Sequence, residues 1–524
     1  MMAVRSIWAV ARQTLLECFR SRLALALLAV LLVIILGLGL SMQDSTTLKS
    51  RLQAFLAYSS GLTQLLVGVA TVLLGCRAVS GDVQNKTIFL VASKPLGRWH
   101  YILGRWLGLS LLNAVLLGAA FLTMDLLARH IRSCPTETET RIARGEQLDR
   151  RLDLDRHEVD NNLMAARVAR NPQPYDLDAQ VSAELERLDK EGGMDLAIRY
   201  DIIQMLQSRQ GAQKRPVGVD DPEVEAIYQD QGVQASLRQK VIEDLRKGQQ
   251  EQKQLVAPGQ GLWLTFDHLP PSNEASGLEL RYMLTPARTP KDETLRTGWM
   301  LRDPASGGSV PSPARTDPVK QVISMPLAPQ AIGPDGTLRI QYFNLQGDTE
   351  VHLKSEDVTL LYRVGSFEGN MLRSALLTLV GMMFLAALSV MFSSFLSFPV
   401  ACLVCMVALG VGYASDFLLE ATRLPNYQAP QAYQVFCLAV VKGLLFFLPS
   451  FNQLSPSGRL VEGLVVEWRE VIGQAAVWFG RPAEGSFWAN LGFVPEYGAG
   501  LKMALALLIG CIIYQRRELA KVQV

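Results

Sequence analysis

RAVSGDVQNKTIFLVASKPLGRWHYILGR, running from Arg77 to Arg105, is the stretch whose reading decides the fold. It is polar and basic, yet it lies between two long apolar runs, Leu52–Cys76 and Trp106–Met124. Thr87–Ala92 has room for about two helical turns. Pro95 and then Gly97 stop them, because proline cannot continue a helix and glycine leaves one easily. A short helix held between two membrane spans, with basic ends, suits the transmission of force to a soluble partner. The same residues also fit a solvated loop whose Lys and Arg only fix orientation.

Working outward, the chain of 524 residues is 49% hydrophobic and 19% charged. It is too long for a single core and too charged to lie wholly in lipid. Segregation reconciles the two. Residues 1–22 set Arg5, Arg12, Arg20 and Arg22 among Ile7, Trp8, Val10, Leu15, Leu16 and Phe19, an amphipathic helix for the headgroup region. Leu23–Leu40 follows with 18 uncharged residues and no small-residue cleavage site, which makes it an uncleaved first span. Leu52–Cys76 and Trp106–Met124 are the second and third spans, and lipid requires them to be helical. Gln64 and Asn113 within them suit helix packing. Ser374–Phe392, Pro399–Ser415 and Met503–Gln515 complete six, the last borrowing from Gly492–Lys502 with Lys502 snorkelling to the interface. Gln431–Leu448 contains Lys442, whose central position costs about 2.5–3.5 kcal/mol, so that segment reads as interfacial or re-entrant.

Between the third and fourth spans the character changes. From Arg129 to Glu368 the sequence is rich in Arg, Asp, Glu, Gln and Pro and has no span-length apolar run. Thr136–Gln254 reads as charged helices, with Asp221-Pro222 as cap and first position of one. Gly261–Phe266, Leu278–Leu284, Leu295–Leu301, Val319–Pro326, Thr337–Phe343 and Val358–Val364 read as strands separated by turn signals such as Pro334-Asp335-Gly336. An antiparallel sandwich accommodates them. Trp263, Tyr282, Trp299 and Tyr342 fit its core, or a ligand surface on it. The implied regions are 1–127, 128–255, 256–369 and 370–524: a membrane block, a helical region, a β-rich region and a second membrane block.

Basic residues set the topology. With six spans, the N-terminal helix, the Arg77–Arg105 loop, the Ser393–Phe398 turn and the tail share one side. They carry Arg77, Lys86, Lys94, Arg98, Arg105, Arg516, Arg517 and Lys521 besides the arginines of residues 1–22, whereas the short opposite loop, Gln43–Arg51, offers Lys49 and Arg51. Positive residues stay inside, so both ends are cytoplasmic and residues 128–369 are extracytoplasmic. The fold class is an α-helical polytopic membrane protein of six transmembrane helices with a large extracytoplasmic α+β insert. The setting is the cytoplasmic, or inner, membrane.

Motif-borne chemistry is sparse. No Gly-x-x-x-x-Gly-Lys-[Ser/Thr] phosphate loop, Gly-x-Ser-x-Gly elbow or His-Glu-x-x-His is present, so ATP is not bound by that loop. The Cys402-x-x-Cys405 pair has no second pair and lies in an apolar run, where core thiols are the natural reading. Asp125 and Asp416, at outer span ends, guide a solute or mark the interface. A net charge of +2 without a basic, aromatic-interleaved stripe gives no sign of nucleic acid.

Asp82, Thr87-Ile88, Ser93-Lys94-Pro95-Leu96-Gly97-Arg98 and Tyr101-Ile102-Leu103-Gly104-Arg105 together resemble the first cytoplasmic loop of ABC-2-type ABC transporter permeases. Lys86 stands where the family usually has Gly, and Arg105 where it usually has Lys. Ser393–Ala401, Leu448–Asn452 and Tyr514–Leu519 resemble the family's later signatures, so the likeness covers the two membrane blocks and leaves the insert out. It implies that Asp82, Thr87, Ser93, Lys94, Pro95 and Arg98 form an ATPase-coupling loop. It further implies a separate cytoplasmic ABC ATPase subunit that binds the ATP, a second permease copy (identical or a paralogue) and export. This chain would then hold no catalytic residue, cofactor or metal. The competing expectation is a non-transporting sensor or scaffold whose outer domain binds carbohydrate or protein.

Overall fold

A computed structural model describes residues 2–41, 47–84, 97–134, 156, 159–174, 177–190, 192–209, 218–219, 221–229, 231–271, 276–302, 308–415, 417–418, 439–440, 443, 447–475 and 499–516. Contacts divide the chain into two units, Met1–Arg167 with Gly365–Val524, and Val168–Val364. These bounds fall at 167/168 and 364/365, whereas composition placed the changes at 127/128 and 369/370.

The first unit opens with helices α1 (Met2–Arg20), α2 (Arg22–Ser41), α3 (Leu48–Gln84) and α4 (Arg98–Ser133). In α1 the buried positions Ala11, Thr14 and Cys18 form one stripe, while Arg5, Arg12 and Arg20 are exposed. Both α3 and α4 run well past the apolar stretches that announce them. At 37 residues, α3 rises about 55 Å, against a hydrocarbon thickness of about 30 Å. The Arg77–Arg105 stretch is therefore helical at both ends, which leaves residues 85–97 between the helices. Nothing from Arg77 to Gln84 breaks a helix except Gly81, and the polar extension is held by pairing described below.

After a π-helical turn at Val159–Leu163, strand β1 (Ala165–Arg170) leads into the second unit. Its helices are α5 (Asp178–Lys190), α6 (Gly193–Arg209), α7 (Pro222–Tyr228) and α8 (Gln231–Gln254). Asp221 caps α7, its side chain accepting from Glu223 N at 3.1 Å, with Pro222 in the first position. Met194, Ile198, Ile202, Val224 and Leu237 make a small core of their own among these helices. Strands then follow: β2 (Leu255–Val256), β3 (Gly261–Phe266), β4 (Ser276–Met283), β5 (Thr285–Pro286), β6 (Thr294–Arg302), β7 (Ser309–Pro311), β8 (Arg315–Pro318), β9 (Val322–Pro326), β10 (Leu338–Asn344), β11 (Val351–His352) and β12 (Val358–Ser366). Antiparallel pairs build one sheet in the order β3-β10-β6-β7, with β8 also on β6, and β12-β4-β9 lie side by side in another. Alternate residues of both sheets enter one core, from Leu264, Trp299 and Tyr342 to Leu280, Ile323 and Leu360. Tyr282, Trp299 and Tyr342 are buried there and Trp263 is partly exposed. Tyr282 and Thr297 both donate to Asp317, at 2.7 and 2.6 Å, which lets a carboxylate sit inside the core.

Helices α9 (Phe367–Ser393), α10 (Phe398–Tyr413), α11 (Ser457–Glu462), α12 (Trp468–Ala475) and α13 (Ala499–Arg516) return to the first unit. Ser366 caps α9 through Gly369 N, and Pro399 opens α10. Among the described residues five helical segments are long and apolar enough to cross a membrane: Ala24–Ser41, Leu48–Asp82, Trp99–Ser133, Phe367–Ser393 and Ala499–Arg516. The 16 residues of α10 are apolar but shorter. Close approach of backbones organises the bundle, as expected where lipid removes the hydrophobic drive between helices. Of the segment Gln431–Leu448, most lies outside the described residues.

Candidate functional site

The end of the bundle nearest residues 85–97 gathers the charged side chains. On α4, Tyr101 and Arg105 stand one turn apart. Arg105 is only 3% exposed, and its guanidinium pairs with Asp82 on α3 and with Glu17 on α1. It also donates to Thr14 Oγ1 at 3.3 Å. The Tyr101 hydroxyl donates to Asp82 Oδ2 at 2.6 Å, and the guanidinium carbon lies 5.4 Å from the Tyr101 ring centroid. From α13, Tyr514 stacks on Tyr101 with centroids 5.6 Å apart. One guanidinium and one tyrosine thereby join α1, α3, α4 and α13.

The two ion pairs are unequal. Glu17 is 46% exposed and Asp82 17%, so the Glu17 pair is worth about 0–1 kcal/mol. Removing Arg105 takes the guanidinium away from the largely buried Asp82, which keeps the Tyr101 hydroxyl, and breaking a buried pair costs up to about 3–5 kcal/mol. Beside this node, burial pushes the Cys18 thiol up to about 11, with Arg105 pulling it the other way.

Glycine docks α1 on α4. A Cβ on Gly104 would lie 2.5 Å from Val10 Cβ and 3.0 Å from the Ile7 carbonyl. On Gly108, one turn later, it would lie 2.7 Å from the Ala11 carbonyl. The elbow helix thus touches α4 through backbone, and Glu17 is carried to Arg105 by that contact.

Of the residues expected in the coupling loop, Asp82 sits in the node and Arg98 opens α4 behind Gly97. Thr87, Ser93, Lys94 and Pro95, with the Thr87–Ala92 segment, lie outside the described residues. Arg105, counted among the basic residues that set the topology, is buried and paired with two acids. Glu17, Thr14 and Arg105 were not legible as one site, because 88 residues separate Glu17 from Arg105. One signal was there: Glu17 is the lone acid in residues 1–43.

The opposite end of the bundle, where α4 ends and α9 begins, is fastened chiefly by neutral amides, with the ion pairs Arg129–Glu368 at 3.1 Å and Arg459–Glu470 beside them. Residues 447–475 lie across it. Gln64 and Gln53 on α3 donate to Phe451 O at 3.2 Å and Val461 O at 2.9 Å. Asn370 donates to Leu464 O at 2.9 Å and accepts from Val466 N at 2.8 Å. Phe451 N donates to Gly412 O at 3.1 Å. Gly463 turns here with φ 69°, a left-handed conformation suited to glycine. Asn113 accepts from Thr71 at 2.9 Å and donates to Met382 O at 3.5 Å, so it serves packing. Asp125 pairs with Arg129 at 2.8 Å at this end, and Asp416 lies outside the described residues. Cys402 and Cys405 are free thiols in the helical core.

Residues 8–140 match the profile of a family described as ABC-2 family transporter protein. Over those residues the chain is similar to the ABC-2 family. The matched segment holds Thr14, Glu17, Asp82, Tyr101 and Arg105, which is the whole node apart from Tyr514. Over 135 residues the chain is 33% identical to the probable ABC transporter permease protein NosY of Stutzerimonas stutzeri. The match takes in 24% of this chain and 49% of that protein, so the chain spans about half the length of the relative it matches. No solved structure matches. Family and apolar helices together make this a multi-pass membrane protein.

Proposed function

We propose that the chain is the transmembrane permease subunit of an ATP-driven ABC-2 transporter that works as an exporter. In this reading α2, α3, α4, α9, α10 and α13 are its six spans, α1 lies in the inner headgroup region, and residues 128–369 form an extracytoplasmic domain whose two sheets are a sandwich. A cytoplasmic ATPase subunit docks on Asp82, Thr87, Ser93, Lys94, Pro95 and Arg98, and a second permease copy completes the path. The partner binds and hydrolyses ATP; this chain supplies no catalytic group.

The observation that carries the reading is the Arg105 node. It ties the elbow helix and the two helices flanking residues 85–97 into one base, with Tyr101 linking that base to the last helix. A push on the loop then moves four helices together rather than bending one. A hydrolysis cycle elsewhere can be converted into rigid-body motion only through such a connection.

Co-purification tests it. An ATPase with a phosphate loop should copurify with the wild-type chain from native membranes and be lost in the double variant Lys94→Glu, Arg98→Glu, which leaves the node intact. Equal recovery with both chains, or no such ATPase with either, contradicts the proposal.

A further inference from the structure

Strands β3, β10 and β6 turn Leu264, Tyr342 and Trp299 into the core of the second unit. Alternate positions point the other way, and these carry Trp263, Gln341, Phe343 and the arginines 296, 302 and 339. Trp263 is 41% exposed and the three arginines are exposed, while Gln341 and Phe343 are half-buried. Trp263 stands opposite Gln341, and Phe343 stands between Gly261 and Gly298. A Cβ on Gly261 would lie 2.8 Å from Phe343 Cε1 and 2.7 Å from Gln341 Nε2. Ring and amide therefore lie down over the strand backbone, in space that only glycine leaves free. Trp263 and Phe343 are diagonal neighbours, about 7–8 Å apart.

Charge on this face is one-sided. Among the described residues, the outward positions of β3, β6, β8 and β10 include Arg296, Arg302 and Arg339 and no Asp or Glu. Asp335 and Asp348 stand in flanking turns, where Thr337 and Gln346 donate to them at 2.9 and 3.0 Å. With seven residues in β10, the three strands make a face about 24 Å by 14 Å, roughly 340 Å². A stable protein complex takes about 800 Å² from each partner, so the face suits a flat chain of rings better than a globular protein. A sugar ring has a side of C–H groups that complements the electron-rich face of an aromatic. Its hydroxyls match an amide, which both donates and accepts, and a carboxylate on it matches a guanidinium fork. We infer that this face binds an anionic carbohydrate chain, with rings on Trp263 and Phe343, hydroxyls at Gln341 and carboxylates at Arg296, Arg302 and Arg339. The choice of sugar over nucleic acid rests on the extracytoplasmic reading of residues 128–369.

The test uses the full chain in phosphatidylcholine nanodiscs, with hexagalacturonate as probe, cellohexaose as its uncharged comparison and a thymidine oligonucleotide as competitor. Both sides of the bilayer are open there, so binding is read independently of sidedness, which labelling at Ser93→Cys in intact cells reads by itself. Hexagalacturonate should bind saturably and more weakly as salt rises, and cellohexaose should bind about tenfold or more below it. Arg296→Gln, Arg302→Gln and Arg339→Gln together should cost hexagalacturonate about tenfold or more and leave cellohexaose binding unchanged. Trp263→Ala should weaken both sugars, by about tenfold. Non-saturable hexagalacturonate binding, equal binding of the two sugars, or unchanged binding by either variant overturns the site. So does a thymidine oligonucleotide that binds as tightly, because the face would then read nucleic acid.

Discussion

The two ends of the helical unit differ in how far charge holds them: a buried ionic node at one, neutral amides with half-exposed ion pairs at the other. Near residues 85–97, one buried guanidinium and two carboxylates join helices across 88 residues of sequence. At the far end, Gln53, Gln64 and Asn370 clamp residues 447–475 through neutral amides and backbone. On α3 the two regions are separated by the rise from Gln53 to Asp82, about 44 Å, which exceeds the hydrocarbon thickness. Neutral amide bonds satisfy fixed backbone groups and are weakened little by salt. An ionic node with one half-exposed member responds to nearby charge, and it lies beside the loop proposed above to receive the ATPase subunit.

That contrast breaks most easily at Arg105. Arg105→Ala removes the guanidinium that pairs with Asp82 and should destabilise the purified protein by up to about 3–5 kcal/mol, read as thermal unfolding in one detergent. Arg105→Lys keeps the charge but loses the fork that spans two acids, and should fall between. At the neutral end, Asn370→Ala strands Leu464 O and Val466 N and should cost about 1–3 kcal/mol, with the same loss at low and high salt. Gly108→Ala presses a methyl on the Ala11 carbonyl and should cost about 1–3 kcal/mol. Released α1 should show as faster proteolysis after Arg20. The smallest effect belongs to Glu17→Gln, under about 1 kcal/mol. It should vanish in high salt, because exposed pairs are screened. A Glu17→Gln loss as large as that of Arg105→Ala would make the elbow pair, not Asp82, the centre of the node.

Much of this architecture was open to reading. Apolar length marked the spans, and short runs set off by turn signals marked β3, β4, β6, β9, β10 and β12, all of which occur near their expected limits. β1 was hidden because Ala-Ala-Arg-Val-Ala-Arg carries no alternation, and its Arg167 is buried by donating to Glu462 O. The helical extensions of α3 and α4 were also missed. Polar residues there looked like loop, and only the pairing of Asp82 with Arg105 explains their helical run. Asp82 and Arg105 were each visible; that Glu17 and Tyr101 complete their set depends on the Gly104–Gly108 docking of α1, which distance along the chain concealed.

Side of the membrane decides whether the ionic end can receive a cytoplasmic partner at all. A maleimide that cannot cross the bilayer, applied to intact cells bearing Ser93→Cys, should add no label beyond that of the wild-type chain. Permeabilised cells should then label fully at that position. Labelling of Ser93→Cys in intact cells would put the loop outside and contradict the account.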